Sequence, residues 1–399
     1  MRVAYLSASG ALGGAERVLL DVLASLRAAE PSWPLTLVSG EDGPLLERVR
    51  ALGVEAHVLP FPRGLAALGD AGAGGTLRLL GGMAAAGPGA AAYVARLALL
   101  LRRARADVVH TNGFKMHLLG AWAASRATPV VWHLHDFVST RRAMSGLLRR
   151  SAGRCAVAVA VSDAVAKDAR TVLGPALRVE TVHNAVDLRR FTPDGPTLAL
   201  HRAAGMPPEP VGTVSVGLVA TMGVWKGHAE FLRAVARVPR EIPLRAYVVG
   251  GGIYRTQGSE VSVDGLRRLA AELGIADRVG FTGFVGDPAA AMRDLDVVVH
   301  ASTQPEPFGL VIAEAMACGR AVIASAAGGA AEIISPGHDV LAVAPGDVNG
   351  LARAIRQLAT DEMLRSTLAR QGRETAVRRF DRARLASALS PLYRSLLNH

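Results

Sequence analysis

The sequence predicts an α/β protein of two Rossmann-like, doubly wound parallel-sheet domains that face each other across a cleft. The chain has 399 residues, which is long enough for two domains of ordinary size, each with its own core. Short runs rich in valine, leucine and isoleucine alternate with helical stretches in the first half, and the same alternation returns in the second half. This rhythm favours parallel strands joined by crossover helices on both faces of a sheet.

The individual elements follow from the hydrophobic runs. The strands expected in the first half are Val3–Leu6, Leu35–Val38, Ala56–Leu59, Val108–His110, Val130–His135, Val157–Val161 and Val179–Val182. Helices such as Ala15–Ala29 and Leu45–Leu52 lie between them. The strands expected in the second half are Val214–Val219, Arg245–Val249, Val279–Phe281, Val297–His300, Ala321–Ala324 and Leu341–Val343.

Two proline-rich segments indicate where the domains join. They are residues 191–196 (FTPDGP) and 206–210 (MPPEP). We therefore expect one domain over residues 1–190, a second over 191–380 and a final helical segment over 381–399. Ligands of doubly wound sheets bind at the carboxyl ends of the strands.

The composition narrows the class of protein. The hydrophobic fraction is 50% and the mean hydropathy is +0.27, yet no window of about 20 residues is free of charges and helix breakers. The N-terminal run reads as a first strand and not as a signal peptide. Cys155 and Cys318 are the two cysteines, so we expect a reducing compartment without a disulfide framework. These features predict a cytoplasmic protein, with peripheral contact at the inner membrane face as an open alternative.

Positive charge is concentrated in the first half. Residues 1–190 carry 23 Lys and Arg against 14 Asp and Glu, whereas the remaining residues carry 22 against 20. The densest cluster consists of Arg141, Arg142, Arg149, Arg150 and Arg154. Such a surplus suits an acidic partner, either anionic lipid or a phosphorylated acceptor, although an arginine-rich composition without a partner is equally compatible. No basic stretch with interleaved aromatic residues is present, so nucleic acid is not expected.

The segment over residues 304–319 (QPEPFGLVIAEAMACG) carries most of the functional information. Its prolines keep Glu306 out of a helix, and we expect the helix to start at about Pro307 and to stop at Gly319. Glu306 would then lie at the helix N-terminus, which attracts anions, and Glu314 would lie two turns further on. This arrangement suits a ligand that joins a phosphate to many hydroxyls, such as a nucleotide-sugar. The alternative is that Glu306 only favours the helix N-terminus and that Glu314 is a solvated carboxylate on the helix surface.

The same segment resembles the Glu-x7-Glu signature of retaining glycosyltransferases with the GT-B fold, in particular glycosyltransferase family 4. The resemblance implies that the second domain holds a nucleotide-sugar and the first holds an acceptor. It also implies that the final helix crosses back to the first domain. Residues 64–89, which are rich in Gly and Ala, would form a mobile loop or a helix over the acceptor side.

Further residues match the family by position. Lys226, in residues 219–228 (VATMGVWKGH), resembles the lysine that neutralises the leaving diphosphate. The family usually has an arginine five positions earlier, where this chain has Thr221. Either Arg255 substitutes for that arginine or diphosphate binding is weaker. Gly13 and Gly14, in the first turn, match the loop over the donor phosphates, and their alternative is a simple tight turn.

His133 and His135 end a strand and lie on one face of it, because side chains alternate along a strand. The resemblance favours His135 as the residue near the reacting sugar carbon. Two alternatives stay open. The histidine is a hydrogen-bonded core residue, or it forms a metal site with histidines at other strand ends, which are His110, His183 and His300.

The resemblance therefore implies a metal-independent, retaining hexosyltransferase without a cofactor, for which a UDP-sugar is favoured and a GDP-sugar comes next. The catalytic residues would be Glu306, Lys226 and His135. The donor-binding residues would be Glu314, Phe308, Gly309, Leu310, Val311, Gly283, Phe284, Thr221, Gly13 and Gly14. The acceptor-binding residues would be Gly14, Asn112, Lys115 and His135. The acceptor is open, and acidic or lipid-linked molecules are candidates. The alternatives are a nucleotide-sugar epimerase or glycoside phosphorylase on the same scaffold, a metal-dependent hydrolase, and a non-catalytic sugar-binding protein.

Overall fold

A computed structural model describes residues 1–62, 76–251 and 261–398. The chain divides into two compact units, and each is built around its own parallel sheet. The first unit comprises Met1–Asn184 together with Arg382–His399, and the second comprises Ala185–Asp381. Residues 64–75 and the candidate Arg255 lie outside the described residues. The fold class expected from the sequence, two Rossmann-like α/β domains, is confirmed.

The first unit contains a seven-stranded sheet in which every neighbouring pair is parallel. Its strands are β1 (Val3–Ser7), β2 (Leu35–Ser39), β3 (Glu55–Val58), β4 (Val108–Asn112), β5 (Val130–Leu134), β6 (Cys155–Ala160) and β7 (Val179–Thr181). Their order is β3-β2-β1-β4-β5-β6-β7. The inner strands β1, β2, β4 and β5 are buried along their whole length, as parallel strands covered on both faces must be.

Helices connect these strands. They are α1 (Gly14–Ala29), α2 (Pro44–Ala51), α3 (Thr76–Arg103), α4 (Phe114–Ala123), α5 (Arg142–Ser151) and α6 (Asp163–Leu173). Helix α6 starts with a side-chain cap, because the Ser162 hydroxyl accepts a hydrogen bond from the Val165 N–H. The glycine- and alanine-rich segment expected as a loop or a helix is helical from Thr76 onward.

The second unit contains a six-stranded parallel sheet. Its strands are β8 (Val214–Val219), β9 (Leu244–Val249), β10 (Val279–Gly283), β11 (Val297–His300), β12 (Ala321–Ser325) and β13 (Leu341–Val343), in the order β10-β9-β8-β11-β12-β13. Its helices are α7 (Leu200–Ala203), α8 (His228–Ala236), α9 (Val263–Glu272), α10 (Pro288–Arg293), α11 (Leu310–Ala317), α12 (Gly329–Glu332), α13 (Val348–Thr360) and α14 (Glu362–Phe380).

The last helix, α15 (Ala383–Ser395), packs on α1 of the first unit. The Ser25 hydroxyl on α1 accepts a hydrogen bond from the Ala386 N–H at 3.0 Å, and Arg382 pairs with Asp21 at 3.4 Å. The end of the chain is thereby fixed to the unit that contains its beginning.

Both sheets contain a point at which the strand order reverses. In the first unit it lies between β1 and β4, and in the second it lies between β8 and β11. The connections leave these neighbouring strands in opposite directions, so a crevice opens at their carboxyl ends, where doubly wound proteins bind ligands. The residues that follow β1, β4, β8 and β11 are therefore the first place to look for a site.

Candidate functional site

In the second unit, Lys226 lies in the loop that follows β8. A short 3₁₀ turn, Val224–Lys226, ends at Gly227, whose φ of 77° favours glycine. A Cβ atom at Gly227 would lie 1.9 Å from the carbonyl oxygen of Ala301, which follows β11. Glycine at this position lets the loop approach the end of β11 and brings Lys226 to the reversal point of the sheet.

Glu306 follows β11 and has a fixed backbone. Its N–H donates to the Ala327 carbonyl at 3.2 Å, and its carbonyl accepts from the Gly329 N–H at 2.8 Å. Gly328 between them has φ 64°, and a Cβ there would lie 2.5 Å from the Glu306 carbonyl oxygen. The segment after β12 thus holds Glu306 in place through the backbone.

Among the described residues, the donors to the Glu306 carboxylate all meet one of its oxygens. Lys226 Nζ lies 2.7 Å from Oε1, the Ser302 hydroxyl donates to the same atom, and His300 Nε2 lies 3.6 Å from it. Burial by itself would raise the pKa of this carboxyl, but Lys226 and then His300 hold it well below its ordinary value. Glu306 is therefore an anion at neutral pH although its side chain is 9% exposed.

The Lys226 side chain is 24% exposed while its ammonium group is bonded to Glu306. Its neighbour His228, at the start of α8, is buried. Burial and then the Lys226 charge lower the pKa of His228 to about 4, so that this imidazole is neutral at pH 7. Lys226 thus carries the positive charge of this loop.

Helix α11 presents one accessible stripe. Leu310, Val311 and Glu314 are partly exposed, whereas its other residues are buried. Residues four apart lie on the same face of a helix, which places Glu314 one turn beyond Leu310. Glu314 therefore belongs to the only face of α11 that solvent can reach.

The expected start of this helix at Pro307 is wrong. The helix begins at Leu310, and Gly309 is its N-cap with φ 94°. Phe308 turns into the core, where its ring meets the Phe380 ring edge-on at 6.0 Å. This anchoring, together with the backbone bonds of Glu306, delays the helix by three residues. The expected stop at Gly319 is confirmed, since its φ is 64°.

Three further donor candidates lie at the ends of β8 and β10. The Thr221 carbonyl accepts from the Gly223 N–H at 2.8 Å and shapes the loop before Lys226. Gly283 has φ 69°, and its carbonyl accepts from the Gly250 N–H at 3.0 Å. Phe284 is 65% exposed, which is unusual for a phenylalanine in a folded unit.

In the first unit, Asn112 and His135 form a contact at the ends of β4 and β5. The amide oxygen Oδ1 of Asn112 accepts a hydrogen bond from His135 Nε2. The Asn112 amide nitrogen donates to the carbonyl of Ala15 on α1 at 3.5 Å, which connects this pair to the first turn. Burial and then His133 lower the pKa of His135, so the imidazole is neutral.

Gly13, Gly14 and Lys115 lie on the elements that carry this pair. Gly13 is the N-cap of α1 and has ordinary extended backbone angles. A Cβ atom at Gly14 would meet no atom within 4 Å, so packing does not require glycine there. Lys115 lies near the start of α4, with Nζ 4.8 Å from the centre of the Phe61 ring.

Three other histidines of the first unit, His110, His117 and His133, are buried and hydrogen-bonded. His110 Nε2 lies 3.1 Å from His133 Nδ1, and His117 Nδ1 lies 2.7 Å from the Thr111 hydroxyl. Burial lowers the pKa of His117 and of His133 to about 3. Across residues 1–62, 76–251 and 261–398, no group of three or more His, Cys, Asp or Glu side chains is arranged to hold a metal ion.

Sequence reasoning missed Ser302. The signal for it is a hydroxyl residue two positions after a buried strand, at the edge where ligands bind. Its hydrogen bond to Glu306 spans four positions of an irregular loop, so no periodicity marks it.

Four arginines of the basic cluster are exposed on or beside α5: Arg141, Arg142, Arg149 and Arg150. Arg154 has an internal structural role, because its guanidinium donates to the carbonyls of Ala121, Ala124 and Ser125. Within the described part of the chain, no helix is both long and apolar enough to cross a membrane.

Two doubly wound units, with a lysine–glutamate pair at the reversal point of the second, define an α/β protein of the Rossmann-like class. Two family models match it. Residues 12–190 match the model described as glycosyltransferase family 4, and residues 208–375 match glycosyl transferases group 1. The chain belongs to the family 4 glycosyltransferases, which confirms the resemblance found in the sequence.

Individual proteins agree with this assignment. The chain is 31% identical over 320 residues to the GDP-mannose-dependent alpha-(1-6)-phosphatidylinositol monomannoside mannosyltransferase of Mycolicibacterium smegmatis, covering 76% of this chain and 75% of that protein. It is 33% identical over 211 residues to the lipopolysaccharide core biosynthesis glycosyltransferase LpsE of Rhizobium meliloti, covering 52% of this chain. The chain spans 57% of the length of LpsE, so it matches only about half of that relative.

A solved structure covers the chain almost completely. The crystal structure of Anabaena HepE in complex with UDP and glucose superimposes with a TM-score of 0.80 at 26% identity, over 99% of this chain and 100% of that one.

Proposed function

We propose that this protein is a retaining glycosyltransferase that moves a sugar from a nucleotide-sugar to an acceptor hydroxyl. The observation that carries the proposal is the Lys226–Glu306 pair at the ends of β8 and β11, beside the accessible Glu314 face of α11. A cation and an acid at the reversal point of a doubly wound sheet suit a ligand with a diphosphate and hydroxyl groups. The likeness to HepE, whose crystal contains UDP and glucose, supports the same reading.

Lys226 would stabilise the departing diphosphate. Breaking a glycosyl–phosphate bond places extra negative charge on the nucleotide, and a fixed cation stabilises that charge more in the transition state than in the ground state. An ammonium group has three N–H donors, so Lys226 can keep its bond to Glu306 while it contacts a phosphate. Its exposed fraction of 24% leaves room for that second contact.

The two glutamates would hold the hydroxyls. Protein donors occupy Oε1 of Glu306, so its other oxygen, Oε2, is assigned to a sugar hydroxyl. Glu314 is assigned to the ribose hydroxyls, and a charge-assisted hydrogen bond of this kind contributes about 1.5–3 kcal/mol. The backbone N–H groups of Phe308, Gly309, Leu310 and Val311 are assigned to the sugar and the phosphates, because a helix N-terminus attracts anions.

The remaining donor contacts are assigned to the strand ends. Gly283 and Phe284 would line the base, and Thr221 would lie beside the diphosphate. A UDP-sugar is the first choice of donor because the structural neighbour contains UDP. A GDP-sugar is the second, because the mycolicibacterial relative is named for GDP-mannose.

The acceptor is assigned to the first unit. Gly13 and Gly14 would let a ligand approach the first turn, because at Gly14 the space that a side chain would fill is open. Asn112, Lys115 and His135 would contact the acceptor, and His135 would lie near the reacting carbon. Retention would follow from front-face substitution, with the leaving phosphate accepting the acceptor proton. The charge that a metal ion would otherwise supply comes from Lys226 and the helix N-terminus.

The decisive test is incubation of the protein with UDP-glucose and GDP-mannose, with sugar alcohols and inositol phosphate as acceptors, followed by NMR of the products. The proposal expects free UDP or GDP and a glycoside that keeps the donor's anomeric configuration. An inverted glycoside would contradict retention. A new nucleotide-sugar formed without an acceptor would indicate an epimerase instead.

An anionic surface is the partner we propose for the basic face of the first unit. Four exposed arginines lie on or beside α5, and Arg154 joins this helix region to the end of α4, where Trp122 is 49% exposed. Exposed tryptophan together with arginine suits the interface of an anionic membrane. The name of the mycolicibacterial relative, which refers to a phosphatidylinositol derivative, is consistent with a lipid-linked acceptor.

Sedimentation with vesicles tests this contact. The protein should sediment with phosphatidylglycerol vesicles and remain in solution with phosphatidylcholine vesicles. Substitution of Arg149 and Arg150 by glutamine should weaken the binding, whereas the same substitution at the exposed Arg353 and Arg356 in the second unit should leave it unchanged. Equal sedimentation with both lipids would remove the proposal.

A further inference from the structure

A chain of hydrogen bonds crosses the core of the first unit, from the last helix to the histidines of β5. The Tyr5 hydroxyl lies 3.2 Å from the Tyr393 hydroxyl, which lies 2.7 Å from His110 Nδ1. His110 Nε2 lies 3.1 Å from His133 Nδ1. All four side chains are buried, and Tyr393 belongs to α15, 283 positions after His110.

The protons of this series of hydrogen bonds have one favourable arrangement. Both imidazoles are neutral, and a neutral imidazole carries one N–H and one lone pair. In this arrangement the Tyr5 hydroxyl donates to the Tyr393 oxygen, and the Tyr393 hydroxyl donates to His110 Nδ1. The other nitrogen of His110, Nε2, then carries the proton and donates it to His133 Nδ1. The proton of His133 is therefore on its Nε2. Every hydrogen-bonding group up to His133 Nδ1 is then satisfied.

The opposite arrangement is less favourable. The hydroxyl hydrogen of Tyr5 would then point away from Tyr393, and in the described part of the chain Tyr5 has no second hydrogen-bond partner. The first arrangement also leaves one buried donor unpaired, the N–H of His133 Nε2, so the two arrangements differ in the bond between Tyr393 and His110. A phenol hydroxyl is a stronger donor than an imidazole N–H, an imidazole nitrogen is a stronger acceptor than a phenol oxygen, and the separation of 2.7 Å suits an O–H···N bond. The Tyr393 hydroxyl therefore selects the tautomer of His110, and His110 selects the tautomer of His133.

His133 is in contact with the proposed site. Its ring centre lies 4.1 Å from that of His135, whose Nε2–H donates to the Asn112 amide oxygen. Because an amide oxygen only accepts, the lone pair of His135 is on Nδ1. Neither His133 Nε2 nor His135 Nδ1 has a protein partner among the described residues. The tautomer of His133 therefore decides whether its Nε2 is a hydrogen-bond donor or an acceptor beside the His135 ring.

We propose that Tyr393 is a positioning residue for the transfer reaction. Its hydroxyl fixes the tautomers of His110 and His133 and, through the contact of His133 with His135, the orientation of the imidazole assigned to the acceptor side. This inference rests on the proposed function. It gives the last helix, α15, a role in the chemistry, because Tyr393 on this helix sets the direction of donation along the whole series of hydrogen bonds.

The first test is NMR of the protein labelled with ¹⁵N in its histidine rings, in the wild type, Tyr393→Phe and Tyr5→Phe. In the wild type, His110 and His133 should each show a single tautomer with the proton on Nε2. Tyr5→Phe is the matched control, because it removes a buried hydroxyl but keeps the bond from Tyr393 to His110. Tyr393→Phe should give mixed tautomers. A wild type with the proton on Nδ1 of either histidine would overturn the inference, whatever the protein catalyses.

The second test is kinetic. Tyr393→Phe should lower kcat about tenfold, which corresponds to the loss of about one hydrogen bond, while KM for the nucleotide-sugar stays within about twofold. Tyr5→Phe should keep at least about half of the wild-type kcat, and thermal unfolding should confirm that both variants are folded. Wild-type kcat in Tyr393→Phe would refute the positioning role. Absence of turnover in the wild type would instead count against the proposed function and leave the tautomer test standing.

Discussion

At the scale of single residues, two opposite charges, those of Lys226 and Glu306, share a partly buried site. Glu306 is almost buried, yet Lys226 keeps it ionised, and Ser302 holds the same carboxylate oxygen. A buried charge that loses its partner is strongly destabilising. We assign the pair two functions that experiments can separate: it stabilises the second unit, and it holds a cation for the phosphate of the proposed donor.

Lys226→Met tests both functions, because methionine keeps most of the apolar stem and removes the charge. Turnover should fall about 100-fold, since one electrostatic contact to the developing charge is lost. Lys167→Met, at an exposed lysine of α6, is the matched control and should keep wild-type rates. Equal rates in all three proteins would remove Lys226 from the mechanism.

The stability of the same variant should depend on pH. The pKa of Glu306 is lower in the folded than in the unfolded state, so its stabilisation is fully present above the unfolded value of about 4.3 and is lost as the pH falls through the folded pKa. Urea unfolding at pH 7 should show a loss of about 1–3 kcal/mol in Lys226→Met. This loss should shrink at pH 3.5. A loss that is independent of pH would show that the stabilisation does not come from the ionised Glu306 carboxylate.

Ser302→Ala should separate sugar binding from nucleotide binding. Without the hydroxyl, the Glu306 carboxylate can rotate, so KM for the nucleotide-sugar should rise about fivefold, the effect of about one hydrogen bond. The affinity for UDP alone should not change, because Glu306 is assigned to the sugar. Ser302→Thr keeps the hydroxyl and should restore the KM. A parallel loss of UDP affinity would contradict the division of roles.

At the scale of elements, glycines determine how closely the loops meet at the reversal point of the second sheet. Gly227 and Gly328 both have positive φ, and at each of them a side chain would collide with a backbone carbonyl. Because each collision involves backbone, a neighbouring side chain cannot relieve it by changing rotamer. The backbones of the loops after β8, β11 and β12 therefore approach one another closely around Glu306.

Gly227→Ala should destabilise the protein by at least about 2 kcal/mol, because it adds strain at positive φ to a clash with the Ala301 carbonyl. Chemical denaturation measures this loss. Gly286→Ala is the matched control, since its added Cβ atom would meet nothing within 4 Å, and its effect should stay within about 0.5 kcal/mol. Similar stability in the two variants would indicate that the loop after β8 rearranges easily.

At the scale of the whole molecule, the sequence was sufficient to predict both sheets, because buried parallel strands are short hydrophobic runs that need no partner to be recognised. The start of α11 was missed because Phe308 is held by Phe380, a contact across 72 positions that no local pattern contains. The hydrogen bonds that join Tyr393, His110 and His133 could not be predicted from the sequence for the same reason. Pairing such as that of Lys226 with Glu306 could be expected only through the family resemblance, which marked both residues without showing that they touch.

The most direct test of the central claim is calorimetric titration of the protein with UDP, compared with Glu314→Ala. Glu374→Ala, at an exposed glutamate of α14 that pairs with Arg370, is the control. We predict that UDP binds the wild type and the control equally, and that Glu314→Ala binds it at least about tenfold more weakly, since one charge-assisted hydrogen bond to the ribose is lost. Equal affinity in all three proteins would contradict the assignment of the nucleotide to the Glu314 face of α11.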